Sequence, residues 1–152
     1  MLNVGIVGLG TIGKVVAKAL DDGMSGLQLN GIASGRREKA EAFLATLNTP
    51  IEIMSIEEVA ESCEIVVDCA PKVVFAEIAN ATISRGKILV TVSGAGILAN
   101  PDIEKQAAKK KARVILATGA LLGLDAVRAA AEGTINSVKM VTRKPPNALQ
   151  GA

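Results

Sequence analysis

The stretch Asn3-Val4-Gly5-Ile6-Val7-Gly8-Leu9-Gly10-Thr11-Ile12-Gly13 constrains the fold more than any other part of the chain. An apolar run passes directly into Gly8-x-Gly10-x-x-Gly13, and helical periodicity follows. Glycines at this spacing, between a strand and a helix, are the fingerprint of a dinucleotide-binding turn. Gly8 permits the tight turn. Gly10 lets the backbone approach a pyrophosphate that a Cβ would meet. Gly13 lets the helix lie close to the strand. Leu9, Thr11 and Ile12 complete a loop whose N–H groups open a helix, where the dipole favours negative charge.

The rest of the chain continues this pattern. Apolar residues make up 49% of the sequence and aromatic residues 1%. The core is therefore built from Val, Ile, Leu and Ala, as in parallel sheets covered by helices. Strands are predicted over Leu2–Val7, Leu27–Ala33, Ile51–Met54, Ile65–Cys69, Ile88–Val92, Arg113–Leu116 and Ile135–Thr142. Helices are predicted over Thr11–Asp21, Arg37–Leu47, Ser55–Ser62, the stretch from Ala70-Pro71 to Arg85, Pro101–Lys110 and Leu124–Glu132. In the first helix Ile12, Val15, Val16, Ala19 and Leu20 are expected to face inward; in the second, Ala40, Phe43, Leu44 and Leu47. Ser55 and Glu58 read as a capping box. Asn100-Pro101-Asp102 reads as a helix start. Alternating strands and helices with short connections predict an α/β fold, a doubly wound, mostly parallel Rossmann sheet with helices on both faces. Ligands of such sheets bind beyond the carboxyl ends of the strands. The loops Gly8–Gly13, Ser34–Arg37, Ala70–Lys72, Ser93–Gly96 and Thr118–Leu122 are therefore expected to share one rim.

Several other readings are weak. A net charge of +2 gives no case for nucleic acid. Lys109-Lys110-Lys111 with Arg113 falls at a helix C-terminus, where it complements the dipole. No apolar run is long enough to span a membrane. The chain opens straight into its first strand with no secretory signal, which gives a cytoplasmic expectation. The sequence has no His, and Cys63 and Cys69 lack the further ligands of a metal site. A thiol in an apolar strand is a poor nucleophile, which counts against Cys69. Asp68 reads as a hydrogen-bonded carboxylate at a strand end. Asp125 reads as a first-turn acid, and Lys72 as a rim or solvated residue.

The fingerprint calls for an acidic residue about 20 positions beyond the glycines, to hold a ribose 2′-hydroxyl. Here the position reads Ala33-Ser34-Gly35-Arg36-Arg37. A carboxylate would repel a 2′-phosphate, whereas Ser34, Arg36 and Arg37 offer donors to one. The expected cofactor is NADP(H), with NAD(H) as the alternative.

Val92-Ser93-Gly94-Ala95, the segment from Thr118-Gly119-Ala120 through Gly123-Leu124-Asp125-Ala126, and Thr142-Arg143-Lys144-Pro145-Pro146 together resemble the L-aspartate dehydrogenase family, over the whole chain and in order. The resemblance implies NAD(P)-dependent oxidation of L-aspartate to iminoaspartate, or the reverse reductive amination of oxaloacetate with ammonia, a reaction that feeds NAD biosynthesis. It implies that Ala120 contacts the cofactor, that Ala70 and Pro71 lie along the nicotinamide side, and that Ser93, Gly94 and Ala95 lie near the reacting centre. It also implies a second α+β domain carrying a catalytic His and a cofactor-contacting Asn. With no His in this sequence, no catalytic residue is assigned here. The expected division is a Rossmann domain over 1–134 and the beginning of a second, catalytic and dimerisation domain over 135–152, truncated in this sequence. On its own this chain is expected to bind cofactor without turnover. A homo-oligomer, a dimer in particular, is the expected assembly. Two alternatives stay open: a stand-alone NADP(H)-binding module, and a dehydrogenase of another small amino or hydroxy acid.

Overall fold

Strand β1 (Leu2–Val7) carries Val4 and Ile6 toward one face of the sheet and Gly5 and Val7 toward the other. This alternation follows from the two-residue period of a strand. The computed structural model describes residues 1–118, 123–141 and 143. It divides into two units, Met1–Gly119 and Ala120–Ala152.

In the first unit β1 is followed by α1 (Thr11–Asp21), β2 (Leu27–Ala33), α2 (Arg37–Leu44), β3 (Glu52–Ile53), α3 (Ile56–Ser62) and β4 (Ile65–Asp68). A 3-10 turn, Lys72–Val74, leads into α4 (Phe75–Ser84). Then come β5 (Ile88–Thr91), α5 (Gly94–Leu98), α6 (Ile103–Lys110) and β6 (Arg113–Leu116). The six strands form one sheet in the order β3-β2-β1-β4-β5-β6, and every pairing is parallel. This is the doubly wound Rossmann topology expected from the sequence.

The sheet separates two apolar clusters. Val4, Ile6, Leu29 and Ile32 pack with Ala17 and Leu20 of α1 and Ala40 of α2. On the other face Val7, Val66 and Leu89 pack with Val59, Phe75, Ile78 and Ile103 of α3, α4 and α6. Helix α3 lies so close to β1 that a Cβ on Gly5 would fall 2.3 Å from Cγ1 of Val59.

The expected capping box is present. The Glu58 N–H donates to Ser55 Oγ at 3.2 Å, and the Ser55 N–H donates to Glu58 Oε2 at 2.7 Å. Those bonds hold the Glu58 carboxyl below its usual range, the bond from the Ser55 backbone most of all.

Four local expectations are corrected. Of the expected inward face of α1, Leu20 is buried and Val16 partly so, but Ile12, Val15 and Ala19 are exposed, and Gly13 and Ala17 complete the buried face. The stretch Ser93–Gly96, expected as loop, opens α5 (Gly94–Leu98), because Ser93 Oγ accepts the Gly96 N–H at 3.2 Å and caps the turn. Asn100 does not cap α6; its Nδ2 donates back to the Gly96 carbonyl at 2.8 Å, and α6 begins at Ile103. Helix α2 stops at Leu44, short of Leu47.

In the second unit, α7 (Leu124–Ala130) has Asp125 in its first turn, as expected. The strand predicted from Ile135 is not formed over 135–141, which pair with no described strand. A strand needs a neighbour to satisfy its backbone, and alternation in the sequence cannot supply one. Thr142, its expected last residue, lies outside the described residues, as does Ala120.

Candidate functional site

The chain winds one way from β1 to β3 and the other way from β4 to β6, so the ends of β1 and β4 diverge at the centre of the sheet. Helices leave these two strands toward opposite faces, and a crevice opens between them. The backbone at its base is fixed. The Gly8 N–H donates to the Ala33 carbonyl at 2.8 Å, and the Cys69 N–H donates to the Val7 carbonyl at 2.8 Å.

The three glycines of the fingerprint have different surroundings. Gly8 has φ +99°, and a Cβ there would lie 2.6 Å from the backbone of Cys69. A Cβ on Gly13 would lie 1.9 Å from the Gly8 carbonyl oxygen. Gly10 has nothing within 4 Å of its Cβ position, so its open side faces the crevice rather than packed protein. Gly10 is also the N-cap of α1. No side chain caps that end, and the first turn holds no acidic residue. The helix therefore presents N–H groups and a positive dipole end that no carboxylate of its own first turn competes for. This arrangement fits a pyrophosphate.

A cavity of about 1010 Å³ extends from this turn along the strand ends. Val7, Gly8, Leu9 and Gly10 form its floor. Ala33, Ser34, Gly35 and Arg36 form one wall, and Cys69, Ala70, Pro71, Val74 and Glu77 another. The described residues also form two smaller grooves around α4 and α6, of about 180 and 350 Å³, and no glycine-rich turn borders either.

The predicted residues separate here. Gly8, Leu9, Gly10, Ser34, Arg36, Ala70 and Pro71 line the cavity. Thr11, Ile12 and Gly13 belong to the first turn of α1 beside it. The Arg36 N–H donates to Ser34 Oγ at 3.3 Å, which leaves the Ser34 hydroxyl proton available. Arg36 forms no ion pair among the described residues, whereas Arg37 Nε reaches Glu41 along α2 at 2.9 Å. Ser93, Gly94 and Ala95 lie at the end of β5 and the start of α5, outside the cavity lining.

Sequence reasoning missed Met54, Ser55 and Ile56, which close the cavity beyond the end of β3. Val74 and Glu77 were missed as well. The signal for the first group was available, since in an all-parallel sheet the end of β3 must lie on the same rim as the others.

The thiols offer no nucleophile. Burial, then the charge of Asp68, pushes the Cys69 thiol up to about 11. Burial also raises Cys63. Among the described residues no cluster of His, Cys, Asp or Glu could hold a metal, and no helix is long and apolar enough to cross a membrane.

Comparison with known proteins agrees with the geometry. The family described as "Homoserine dehydrogenase, NAD binding domain" matches residues 8–117. An L-aspartate dehydrogenase of Bradyrhizobium diazoefficiens is 47% identical over 151 residues, covering 99% of this chain and 54% of the relative. An L-aspartate dehydrogenase of Methanocella arvoryzae is 36% identical over 156 residues, covering 100% of this chain and 57% of the relative. The chain thus spans about half the length of the curated relatives it matches. Among solved structures, a homoserine dehydrogenase from Thiobacillus denitrificans aligns with TM-score 0.65 at 23% identity, over 76% of this chain and 29% of that one. A biliverdin reductase from Synechocystis, in complex with biliverdin and NADP+, aligns with TM-score 0.70 at 20% identity, over 86% of this chain and 43% of that one. At these identities the structures establish the fold alone. The glycine turn, the strand-end cavity and the match over 8–117 lead to one conclusion: this chain belongs to the homoserine dehydrogenase NAD-binding domain family, and its curated relatives are L-aspartate dehydrogenases.

Proposed function

We propose that this chain is the cofactor-binding part of an oxidoreductase acting on the CH–NH2 group of L-aspartate, in the direction of iminoaspartate or, in reverse, from oxaloacetate and ammonia. The observation that carries this reading is the 47% identity to an L-aspartate dehydrogenase along 99% of the chain. The aligned region includes the glycine turn and both walls of the cavity.

In this reading Gly8, Leu9, Gly10, Thr11, Ile12 and Gly13 hold the pyrophosphate through backbone N–H groups at the start of α1. Ser34 and Arg36 take the 2′-phosphate of NADP(H), which makes it the preferred cofactor over NAD(H). Two features support the preference: Arg36 borders the cavity without an ion-pair partner among the described residues, and no carboxylate occupies the rim at 33–36. Arg37 is a secondary candidate, because Glu41 already engages it. Ala70 and Pro71 line the path toward the nicotinamide, and Ser93, Gly94 and Ala95 bound its far end. Ala120 is a further contact by family resemblance.

When bound, the cofactor supplies the hydride chemistry. This chain binds and orients it, and excludes water from its pyrophosphate side. The sequence has no His to serve as the family's general acid/base. We assign that group to a second domain beginning near residue 135, in keeping with relatives of nearly twice this length. A homodimer in the cytoplasm is the assembly we propose.

The test is titration of the chain with NADPH and NADH, followed by nicotinamide fluorescence. Saturable binding with NADPH the tighter ligand supports the reading. Equal or tighter binding of NADH removes the NADP(H) preference, and no binding of either removes the cofactor assignment. The substrate assignment is tested on the protein with its second domain, and stands only if L-aspartate is oxidised in preference to other small amino acids.

A further inference from the structure

The ends of β4 and β5 are joined by a buried polar chain that cofactor contacts alone do not require. Asp68 and Thr91 face each other on the last rung of the parallel ladder and are 1% and 0% exposed. Thr91 Oγ1 donates to Asp68 Oδ2 at 2.6 Å. The same Oγ1 accepts the Ser93 N–H at 2.9 Å. Asp68 Oδ1 accepts the Ala70 N–H at 3.1 Å. The chain therefore runs from the Ala70 N–H through both side chains to the Ser93 N–H. One rung earlier the sheet uses Val67 opposite Val90. Burying a carboxylate is costly without bonds of this kind, and an apolar pair would fill the space. The polar pair stands where the ladder ends, and it fixes the direction in which each loop leaves.

The bonds extend outward on both sides. Ala70 leads into Pro71 on the cavity wall. Ser93 caps α5 through Gly96, and Gly96 sits so close to Phe75 that a Cβ would fall 2.4 Å from its ring. Helix α5 is thus held against the base of α4.

We propose that Asp68 and Thr91 are positioning residues for the nicotinamide end of the site: they set the loops at Ala70-Pro71 and Ser93–Ala95 relative to each other before the cofactor arrives. The proposal rests on the dinucleotide reading above. The pair acts through the loop backbone and does not touch substrate or cofactor.

The test compares NADPH with 2′-phospho-ADP-ribose, which has the adenosine half and the pyrophosphate but no nicotinamide ring. If the chain prefers the unphosphorylated cofactor, NADH and ADP-ribose form the corresponding pair. Thr91→Val keeps the shape and leaves both the Asp68 oxygen and the Ser93 N–H without their partner. It is expected to weaken NADPH about tenfold, on the scale of an orphaned buried hydrogen-bonding group, while phospho-ADP-ribose changes by less than about twofold. The fluorescence of bound NADPH should fall, and Thr91→Ser, which restores the hydroxyl, should recover affinity and fluorescence together. Equal weakening of both ligands, or a lower Tm with their ratio unchanged, overturns the proposal. Should Thr91→Val fail to fold, the same ratio is read on Asp68→Asn, whose amide keeps an oxygen for the Ala70 N–H but turns an NH2 toward Thr91, so that the Thr91 hydroxyl proton loses its acceptor. An unaltered chain that binds neither ligand overturns the dinucleotide reading itself, whereas one that binds both, with variants showing an unchanged ratio, overturns only the positioning role.

Discussion

The carbonyl oxygen of Gly8 occupies the space a side chain on Gly13 would need: a Cβ on Gly13 would lie 1.9 Å from it. Gly10, three residues earlier in the same motif, has nothing within 4 Å of its Cβ position. Two substitutions that look alike in the sequence should therefore fail differently. Gly13→Ala forces α1 away from β1 and should cost about 1–3 kcal/mol of stability, the range for overpacking. Gly10→Ala should leave Tm nearly unchanged, because φ is −79° and an alanine is not strained there. It should still weaken dinucleotide binding about tenfold or more, because the methyl enters the space assigned to the pyrophosphate. Thermal unfolding and cofactor titration on both variants check the pair of outcomes.

Arg36 and Arg37 should also separate. Arg36→Ala is expected to weaken NADPH about tenfold, toward the low end for a charge-assisted bond because the side chain is solvated. NADH should change by less than about twofold, since it lacks the group Arg36 is assigned to hold. Arg37→Ala should leave both affinities nearly unchanged, because its guanidinium is engaged with Glu41 at 2.9 Å. Titrating both cofactors against both variants measures this, and a larger effect at Arg37 would reverse the assignment.

Cys69 should be unreactive despite bordering the cavity. With its thiol pushed up to about 11, roughly one molecule in a thousand carries the thiolate at pH 8. A maleimide or disulfide reagent should label neither cysteine of the folded chain at that pH, and both after denaturation. Labelling of Cys69 should become appreciable only as the pH climbs toward 11.

Asp21 predicts a pH dependence. Its carboxylate accepts the Asn48 N–H at 2.8 Å and the Thr49 N–H at 2.9 Å, tying the end of α1 to the loop after α2. The bond from the Asn48 backbone does most to hold it below the usual carboxylate value of 3.8. A carboxyl lowered in the folded state contributes stability above its unfolded pKa and loses that contribution as the pH falls through its folded one. Asp21→Asn should therefore lower Tm at pH 7, with a difference that narrows below pH 3.8. Melting curves across the acid range check it, and a constant difference would show that the charge is not the source.

The strands and the glycine turn were legible because their signals are local. β-Branched runs bounded by Gly and Pro mark the strands, and Gly8-x-Gly10-x-x-Gly13 needs no tertiary context beyond its neighbours. The capping box at Ser55 and Glu58 was legible for the same reason. The buried face of α1 was legible only in part, at Leu20 and Val16. Ile12, Val15, Val16, Ala19 and Leu20 satisfy a helical period, but the helix docks where it can come closest, and small Gly13 and Ala17 permit that. Hydrophobic patterning favours large residues, whereas close packing here depended on their absence. A strand ending at Met54 was expected, but Met54–Ile56 was left off the rim because Ser55 and Glu58 read only as a helix cap; the observed β3 is Glu52–Ile53. The polar chain through Asp68 and Thr91 depends on the register of β4 against β5, which no local signal carries.

The cavity wall is drawn from the ends of β1, β2, β3 and β4, segments spread from Val7 to Glu77. No isolated βα unit of the chain contains it. The pocket appears only when those strands have paired in order, so occupancy by a ligand is a readout of cooperative assembly rather than of any local turn. Whatever binds there stabilises the native state as a whole, by RT ln(1 + [L]/Kd) over the unfolded chain. In a cell the dinucleotide would then also act as a folding partner, and its concentration would help set how much of the protein survives.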